Sequence, residues 1–150
     1  MKIGLIGTGR LGICLALLIE QTGLNVIASD VREDYIKNLQ NKKINTTEPQ
    51  VQQLLKQSQK VEFTTDNSKV IRESDIIFTL VQTPSLEDGS YDVSAVWEVV
   101  EDIKKEMSKI ANYPKSFVVG CTTNPGDCDK FKESLPDSVD VYYNPEFIAQ

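Results

Sequence analysis

The chain of 150 residues contains no histidine and only three cysteines. Without an imidazole, Ser-His-Asp catalysis, Cys-His catalysis and histidine metal ligation are excluded within these residues. The cysteines Cys14, Cys121 and Cys128 are odd in number and none belongs to a Cys-x-x-Cys pair. We therefore expect neither a disulfide framework nor a zinc site. Proton transfer would depend on carboxylate, lysine, tyrosine, thiol or water.

Long apolar runs and a positive net charge are also lacking. No run reaches the roughly 18 apolar residues that a membrane helix needs, and Met1 leads into a strand-like segment without a signal-peptide pattern. The net charge of −6 disfavours binding to a nucleic acid, because phosphate backbones require a basic surface. We predict a cytoplasmic protein whose partners include neither a membrane nor a nucleic acid. A small anionic ligand remains compatible with this charge, since backbone N–H groups can supply a local positive potential.

Apolar β-type runs alternate with helical patterns along the whole chain, whose length suits a single domain. This alternation predicts an α/β fold: a Rossmann-type doubly wound parallel sheet of about six strands with helices on both faces. The predicted strands are Lys2–Ile6, Asn25–Ser29, Val61–Thr64, Asp75–Val81, Ser116–Val119 and Val139–Tyr143. The predicted helices are Leu11–Gln21, Glu33–Gln40, Pro49–Gln57, Asp66–Glu73, a long helix from its N-cap Asp92 to about Asn112, and Asp127–Ser134.

A glycine motif joins the first predicted strand to the first helix. In the series Gly7-x-Gly9-x-x-Gly12, the first glycine permits a tight turn, the second lets a diphosphate approach the backbone, and the third allows close packing of helix on strand. Asp30 ends the second strand, where a carboxylate accepts hydrogen bonds from an adenosine ribose. The motif predicts a dinucleotide site, with a purely structural glycine turn as the alternative.

The same acidic residue favours NAD over NADP, because a carboxylate at Asp30 would repel a 2′-phosphate. Arg32 lies nearby and has two possible roles. As a solvated cation at the start of a helix it would leave this preference intact, whereas as a phosphate ligand it would weaken it. We consider the solvated cation the better interpretation and predict NAD as the cofactor.

A series of short segments narrows the family. They are KIGLIGTGRLG at residues 2–12, Glu48-Pro49, FTTD at 63–66, VQTP at 81–84, DGSYD at 88–92, CTTNPG at 121–126 and NPEF at 144–147. Each segment alone is weak evidence. Together, in this order and at these spacings, they resemble the NAD-binding domain of the UDP-glucose/GDP-mannose dehydrogenase family over essentially the whole chain.

The resemblance implies an activity and a set of residue roles. Members of this family oxidise the C6 alcohol of a nucleotide sugar, such as UDP-glucose, to a carboxylate and reduce two NAD. The implied cofactor-binding residues are Gly7, Thr8, Gly9, Arg10, Leu11 and Gly12 at the diphosphate, Asp30 at the adenosine ribose, Thr83 at the ribose or diphosphate, and Thr122 beside the nicotinamide. Thr122 would also position the water or hydroxyl that takes part in proton transfer, and Glu146 would face the active site, so both are candidate catalytic residues.

The resemblance also implies parts that lie beyond residue 150. The family's catalytic cysteine, lysine and asparagine come later, as do the substrate domain and the long central helix that builds a homodimer. We therefore expect residues 1–150 to be an NAD-binding domain that is inactive alone. Gln150 stands where many members have glutamate, which leaves open whether it replaces a general base, since glutamine cannot take a proton. Thr123-Asn124 departs from the commoner Val-Pro, and Tyr35 stands near a lysine of some members.

Two other functions are compatible with the same motifs. The first is a stand-alone dinucleotide-binding module that performs no turnover. The second is the cofactor domain of a different dehydrogenase, such as a 6-phosphogluconate or hydroxyacyl-type enzyme, although the segments VQTP and NPEF count against it. Cys14 and Cys121 are expected to be buried small hydrophobes, and Cys128 a helix residue without a chemical role.

Overall fold

The computed structural model describes residues 1–110 and 113–146, and these contain a single parallel sheet. Its strands are β1 (Lys2–Ile6), β2 (Asn25–Ser29), β3 (Val61–Thr64), β4 (Ile76–Thr79), β5 (Lys115–Val119) and β6 (Val139–Tyr143). They lie side by side in the order β3-β2-β1-β4-β5-β6, and Ile3 pairs with Val26 on one side and Ile76 on the other. The order reverses between β1 and β4, so a crevice opens at the carboxyl ends of these strands, where doubly wound sheets bind ligands.

Six helices cover the sheet within the described residues: α1 (Arg10–Gln21), α2 (Glu33–Gln40), α3 (Val51–Gln57), α4 (Asn67–Glu73), α5 (Ser94–Met107) and α6 (Asp127–Ser134). Successive residues of a strand face opposite sides of a sheet. Accordingly, Leu5 packs with α1, α2 and α3 residues in one core, and Ile6 packs with α4, α5 and α6 residues in a second core. The predicted doubly wound fold is confirmed. No helix in the described part of the chain has the length and apolarity required to cross a bilayer.

The fourth strand is shorter than the predicted Asp75–Val81. Asp75 directly precedes β4, and its carboxylate accepts the backbone N–H of Lys2 at 2.7 Å. At the other end the strand stops at Thr79, although the N–H of Leu80 still donates to the carbonyl of Ile6 at 2.8 Å, and Leu80 and Val81 line the crevice. Their apolar side chains serve the wall of a cavity, so the apolar run did not mark the end of the strand.

The long helix is also shorter than predicted. Its N-cap position is held by Val93 rather than Asp92, whose carboxylate instead accepts the N–H of Ser94 at 2.9 Å. The helix ends at Met107, followed by a tighter turn in which the N–H of Lys109 bonds the carbonyl of Glu106 at 3.0 Å. Asn112, the predicted end, lies outside the described residues.

The remaining boundaries agree with the sequence to within two residues. Asp66, predicted as the first residue of α4, is its N-cap, and its carboxylate accepts the N–H of Lys69 at 3.1 Å. The first turns of α1 and α3 begin at Arg10 and Val51, against predictions of Leu11 and Pro49. β5 begins one residue earlier than predicted.

A buried carboxylate joins α4 to α5. Glu106 is 1% exposed, and it accepts hydrogen bonds from Lys109 at 2.6 Å and from Arg72 at 3.1 Å. The bond from Lys109 lowers the pKa of Glu106, burial raises it, and the bond from Arg72 lowers it again, with a net result of about 2. The carboxylate therefore stays ionised at neutral pH and ties the two helices together.

Candidate functional site

The turn between β1 and α1 is built so that two of its glycines exclude any side chain. Gly7 has a φ of +96°, and a Cβ there would lie 2.7 Å from the carbonyl oxygen of Leu80. A Cβ at Gly12 would lie 2.1 Å from the carbonyl oxygen of Gly7. The turn and the helix are thus packed backbone against backbone.

Gly9 differs from these two positions, because a Cβ there would have no atom within 4 Å. Its φ of −64° is accessible to any residue. Packing within the protein therefore gives no reason for glycine at this position. An open space above a glycine backbone is what a bulky ligand such as a diphosphate requires.

The first turn of α1 has free hydrogen-bond donors beside this open space. The first bond within the helix runs from the N–H of Ile13 to the carbonyl of Gly9 at 3.0 Å, which leaves the N–H groups of Arg10, Leu11 and Gly12 without helical partners. No side chain caps this end, and its first turn has no acidic residue. The donors and the helix dipole favour an anion here.

Thr8 is fully buried within the turn. Its hydroxyl donates to the carbonyl of Ser29 at 2.6 Å, and the N–H of Gly7 donates to the same oxygen at 2.9 Å. The Thr8 side chain therefore anchors the turn to the end of β2. Because the whole residue is buried, the structure does not expose Thr8 to a ligand, contrary to its predicted contact with the diphosphate.

Asp30 follows β2 and forms a bidentate ion pair with Arg32. Its two carboxylate oxygens accept Nε and Nη2 of the guanidinium, both at 2.8 Å, and the N–H of Arg32 donates to Oδ1 at 3.1 Å. Burial of Asp30 raises its pKa, but the hydrogen bonds from Arg32 outweigh burial, so the pKa of this carboxyl lies below its usual range. The carboxylate is ionised at neutral pH and able to accept hydrogen bonds from hydroxyl groups.

Arg32 is the N-cap residue of α2 and 57% of its side chain is exposed, as predicted for a cation at the start of a helix, but its guanidinium is paired with Asp30. Besides its pair with Asp30, its guanidinium lies over the ring of Tyr35, 4.3 Å from the ring centroid. Such stacking fixes the position of a guanidinium at modest energy. Tyr35 thus supports Arg32, and the sequence analysis did not predict this arrangement.

A cavity of about 400 Å³ occupies the crevice between β1 and β4. Its lining includes Gly7, Gly9 and Asp30 of the predicted site, together with Leu80 and Val81 of the loop after β4. This volume falls within the range of roughly 300–1,000 Å³ that is typical of small-molecule sites. Another recess of about 280 Å³ lies among Lys2, Asn25 and residues 59–62 at the amino-terminal edge, where parallel sheets do not bind ligands.

A further recess of about 320 Å³ adjoins the other side of the glycine turn. Gly9 and Arg10 line one side of it, and residues 44–47 line the other. Close by, Arg10 Nε pairs with a carboxylate oxygen of Glu48 at 2.9 Å. This ion pair connects the predicted diphosphate turn to the segment that precedes α3.

The three predicted residues of the nicotinamide side follow the next three strands of the sheet. Thr83 is half-buried in the loop after β4, and Thr122 is half-buried after β5. Glu146 is exposed after β6, and its N–H donates to the carbonyl of Gly120 at 3.3 Å. The structure therefore places them along one edge of the sheet. Gln150 and Phe147 lie outside the described residues.

Asn124 connects two of these loops, a role that the sequence analysis missed. Its side-chain oxygen accepts the N–H of Tyr91 at 2.8 Å, and its Nδ2 donates to the carbonyl of Tyr91 at 3.0 Å. Asp127 holds the amide in place by accepting from its Nδ2 at 2.9 Å. The polar departure from Val-Pro at this position was the signal that could have indicated such a contact.

The cysteines are free and only partly buried, so Cys14 and Cys121 are more exposed than predicted. Burial raises the pKa of Cys121 to about 11 and also raises the pKa of Cys14 and Cys128. Since the thiolate is the reactive form, none of the three is poised as a nucleophile at neutral pH.

The whole chain, residues 1–150, matches the model of the UDP-glucose/GDP-mannose dehydrogenase family, NAD binding domain. An uncharacterized protein of Methanocaldococcus jannaschii is 35% identical over 153 residues, which cover 100% of this chain and 17% of that protein. The UDP-glucose 6-dehydrogenase TuaD of Bacillus subtilis is 30% identical over 159 residues, 99% of this chain and 33% of its own length. The chain thus spans about a third or less of these relatives.

Solved structures show the same fold. A ternary complex of GDP-mannose dehydrogenase from Pseudomonas aeruginosa superimposes with a TM-score of 0.88 at 26% identity, covering 100% of this chain and 37% of that one. A UDP-glucose dehydrogenase from Pyrobaculum islandicum gives a TM-score of 0.88 at 22% identity, covering 99% and 36%. The strand order, the glycine turn and the family match agree, and we conclude that the chain belongs to the UDP-glucose/GDP-mannose dehydrogenase family and corresponds to its NAD binding domain.

Proposed function

We propose that NAD lies across the carboxyl ends of the strands, with its diphosphate on the turn from Gly7 to Gly12. The open position at Gly9 is the observation that carries this proposal, because no atom of residues 1–110 and 113–146 fills it. The unpaired N–H groups of Arg10 and Leu11 supply the donors for the phosphate oxygens. Leu11 takes part through its backbone, Thr8 holds the turn against the end of β2, and Arg10 lies beside the turn in its ion pair with Glu48.

The adenosine ribose would bind Asp30. This carboxylate is ionised and lies in the same cavity as Gly7 and Gly9. Oδ1 already accepts two hydrogen bonds from Arg32 and Oδ2 accepts one, so Oδ2 has a further lone pair for a ribose hydroxyl. A 2′-phosphate would meet a negative charge at this position, so the site favours NAD over NADP.

The nicotinamide would extend toward β5 and β6. Thr83 contributes a hydroxyl near the ribose or diphosphate, and Thr122 lies beside the ring, positioning the water or hydroxyl for proton transfer. Glu146 contributes a carboxylate at the end of β6. Support for these roles comes from their common edge and from the loops that Asn124 connects.

The full-length protein would be a cytoplasmic, homodimeric NAD-dependent nucleotide-sugar 6-dehydrogenase that acts on UDP-glucose or a related nucleotide sugar. The relative from Bacillus subtilis is named for this reaction. NAD bound in this site would supply the hydride acceptor, and two NAD in succession would be needed to take the C6 alcohol to a carboxylate, with water supplying the second oxygen. The residues described here would bind the cofactor. A cysteine nucleophile and a substrate domain would be supplied by other parts of the full-length protein.

Isothermal titration calorimetry of the 150-residue chain with NAD and NADP tests the cofactor site. NAD should bind and NADP should bind more weakly, while Asp30→Asn should weaken NAD about tenfold or more by removing charged acceptors. Asp34→Asn is a matched control, because the Asp34 side chain is 97% exposed and outside the cavity. Equal affinity of the wild type for NADP, or unchanged affinity of Asp30→Asn for NAD, would contradict the proposal.

A further inference from the structure

A chain of side-chain hydrogen bonds crosses from β2 to α5 at the far wall of the 400 Å³ cavity. The hydroxyl of Ser29 lies 2.7 Å from Oδ1 of Asn67, and Nδ2 of Asn67 lies 3.1 Å from Oδ2 of Asp102. Ser29 is fully buried, while Asn67 and Asp102 line the cavity. Neither contact is used by the cofactor residues described above.

The direction of this chain is determined by its last member. An ionised carboxylate only accepts hydrogen bonds, so Asn67 must present its NH2 group to Asp102 and its oxygen to Ser29. Ser29 then has to donate. In each hydrogen bond of this series the acceptor therefore lies on the side toward Asp102, and Asp102 at the end of the series acts only as an acceptor.

Part of that acceptor capacity is unused. Among bonds between described residues, Asp102 accepts only through Oδ2. Oδ1 belongs to a half-buried side chain that lines the cavity and that Asn67 holds in position. The wall thus offers a fixed carboxylate oxygen to whatever occupies the cavity.

The occupant of this part of the cavity follows from the proposed function, on which the inference rests. If Asp30 holds the ribose, the attached base enters the remainder of the same cavity. Val31, Leu80 and Val99 line it, and such apolar side chains suit the two faces of a planar ring. The edge of the ring must then meet the polar groups on α5.

We propose that Asp102, positioned by Asn67, accepts a hydrogen bond from the exocyclic amine of adenine and thereby selects an adenine dinucleotide. Adenine carries an N–H donor at its six-position. Hypoxanthine has a carbonyl oxygen at the same place, which a carboxylate repels. The base is therefore recognised by its amine as well as by its shape.

Glu98 is the other carboxylate of α5 at this cavity, and it is the rival acceptor. Its side chain is exposed and forms no hydrogen bond with another described residue. Holding such a side chain on the base would cost conformational entropy. Asp102 is already held by Asn67 and does not bear this cost.

The test compares the binding of NAD and nicotinamide hypoxanthine dinucleotide to the 150-residue chain by calorimetry. Wild-type protein should prefer NAD by about tenfold or more, the effect of one hydrogen bond to a charged group. In Asp102→Asn the new amide can accept from Asn67 and turn its NH2 group toward the base. The preference should then fall to about one or reverse.

Glu101→Gln is the matched control, since Glu101 is the exposed neighbour of Asp102 and pairs with Lys104 at 3.4 Å. It should retain the wild-type preference, and circular dichroism should show that each variant is folded. Equal binding of both dinucleotides by the wild type overturns the inference without any variant. A preference that survives in Asp102→Asn, or that Glu98→Gln abolishes instead, overturns it as well.

These outcomes are distinct from failure of the proposed function. If the protein binds NAD and depends on Asp30, but binds both dinucleotides equally, only the role of Asp102 is contradicted. A chain that binds no NAD would overturn the cofactor site, and the base recognition with it.

Discussion

Arg32 and Asp30 form a bidentate ion pair at the tip of β2, with both N–O distances at 2.8 Å. Burial alone would raise the pKa of Asp30, but the ion pair keeps the Asp30 carboxylate ionised. Asp30 and Tyr35 both engage the guanidinium, so its positive charge is already paired within the protein.

Removing the guanidinium should change the titration of Asp30. In Arg32→Ala the side-chain hydrogen bonds and the positive charge are lost while the backbone N–H of residue 32 can still donate, so the pKa of Asp30 should rise from its lowered value. Carboxyl NMR titration of the two proteins measures this difference. NAD affinity of the variant should then weaken as the pH falls through the raised pKa, whereas the wild type should hold its affinity to lower pH. An Asp30 pKa unchanged by the substitution would contradict this account of the pair.

Alanine substitutions in the glycine turn should separate binding from folding. Gly9→Ala adds a methyl group where no atom lies within 4 Å, so the free energy of unfolding should change by less than about 0.5 kcal/mol. The methyl group would obstruct the diphosphate, and NAD affinity should fall about tenfold or more.

Gly12→Ala is the matched variant, because its methyl group would lie 2.1 Å from the Gly7 carbonyl oxygen. It should lower the free energy of unfolding by roughly 1–3 kcal/mol, the usual cost of overpacking. Urea unfolding and calorimetry measure the two effects. If Gly9→Ala bound NAD as the wild type does, the space above Gly9 would not be the diphosphate site.

Replacing Asn124 with alanine should loosen the loop that precedes α5. The substitution removes both bonds to the backbone of Tyr91, so the free energy of unfolding should fall by about 1–3 kcal/mol. Amide exchange of Tyr91 should become faster than in the wild type, while exchange in β1 and β2 should change little. Unchanged exchange at Tyr91 would mean that other contacts hold the loop.

The buried carboxylate of α5 should make stability depend on acid pH. The pKa of Glu106 is lowered in the folded state to about 2, against about 4.3 in an unfolded chain. Its contribution is therefore fully present above the unfolded value and is lost as the pH falls toward 2. Glu106→Gln should be less stable at pH 7 by roughly 1–2 kcal/mol.

Urea unfolding of both proteins between pH 7 and pH 2.5 measures this difference. The difference in the free energy of unfolding between the wild type and Glu106→Gln should be constant above about pH 5.3, one pH unit above the unfolded pKa. Below that pH the difference should become smaller. Glu101→Gln, at an exposed position of the same helix, serves as the control. A gap that stays constant down to pH 2.5 would contradict the lowered pKa.

The alternation of apolar segments was sufficient to predict the fold. Asn25–Ser29 and Glu33–Gln40 have the predicted bounds: four of the five strand residues are buried, and the helix buries Ile36 and Leu39 at a spacing of three residues. The strand predicted as Asp75–Val81 is shorter at both ends, and at its carboxyl end the apolar run continues past Thr79 because Leu80 and Val81 pack against the two cores and line the cavity. Hydrophobicity records burial and does not distinguish a core from the wall of a site.

The site was predictable only where it depends on residues close in sequence. The glycine spacing indicated the turn, and its distance to Asp30 indicated the acidic tip of β2. The bond from Asn67 to Asp102 joins residues 35 positions apart, and its pattern is invisible until α4 and α5 are packed. The pair of Arg32 with Asp30 spans two positions, but its geometry depends on the ring of Tyr35 and the bend after β2.

The contact between Gly12 and the carbonyl of Gly7 leaves no room for even a methyl group. Gly12 is therefore needed because it has no side chain, and no larger amino acid fits at this position. The donors that would meet a diphosphate are main-chain groups, so the cradle is indifferent to the identity of most side chains around it. Substitutions in the helix behind the turn can therefore leave these donors in place, provided that position 12 remains glycine.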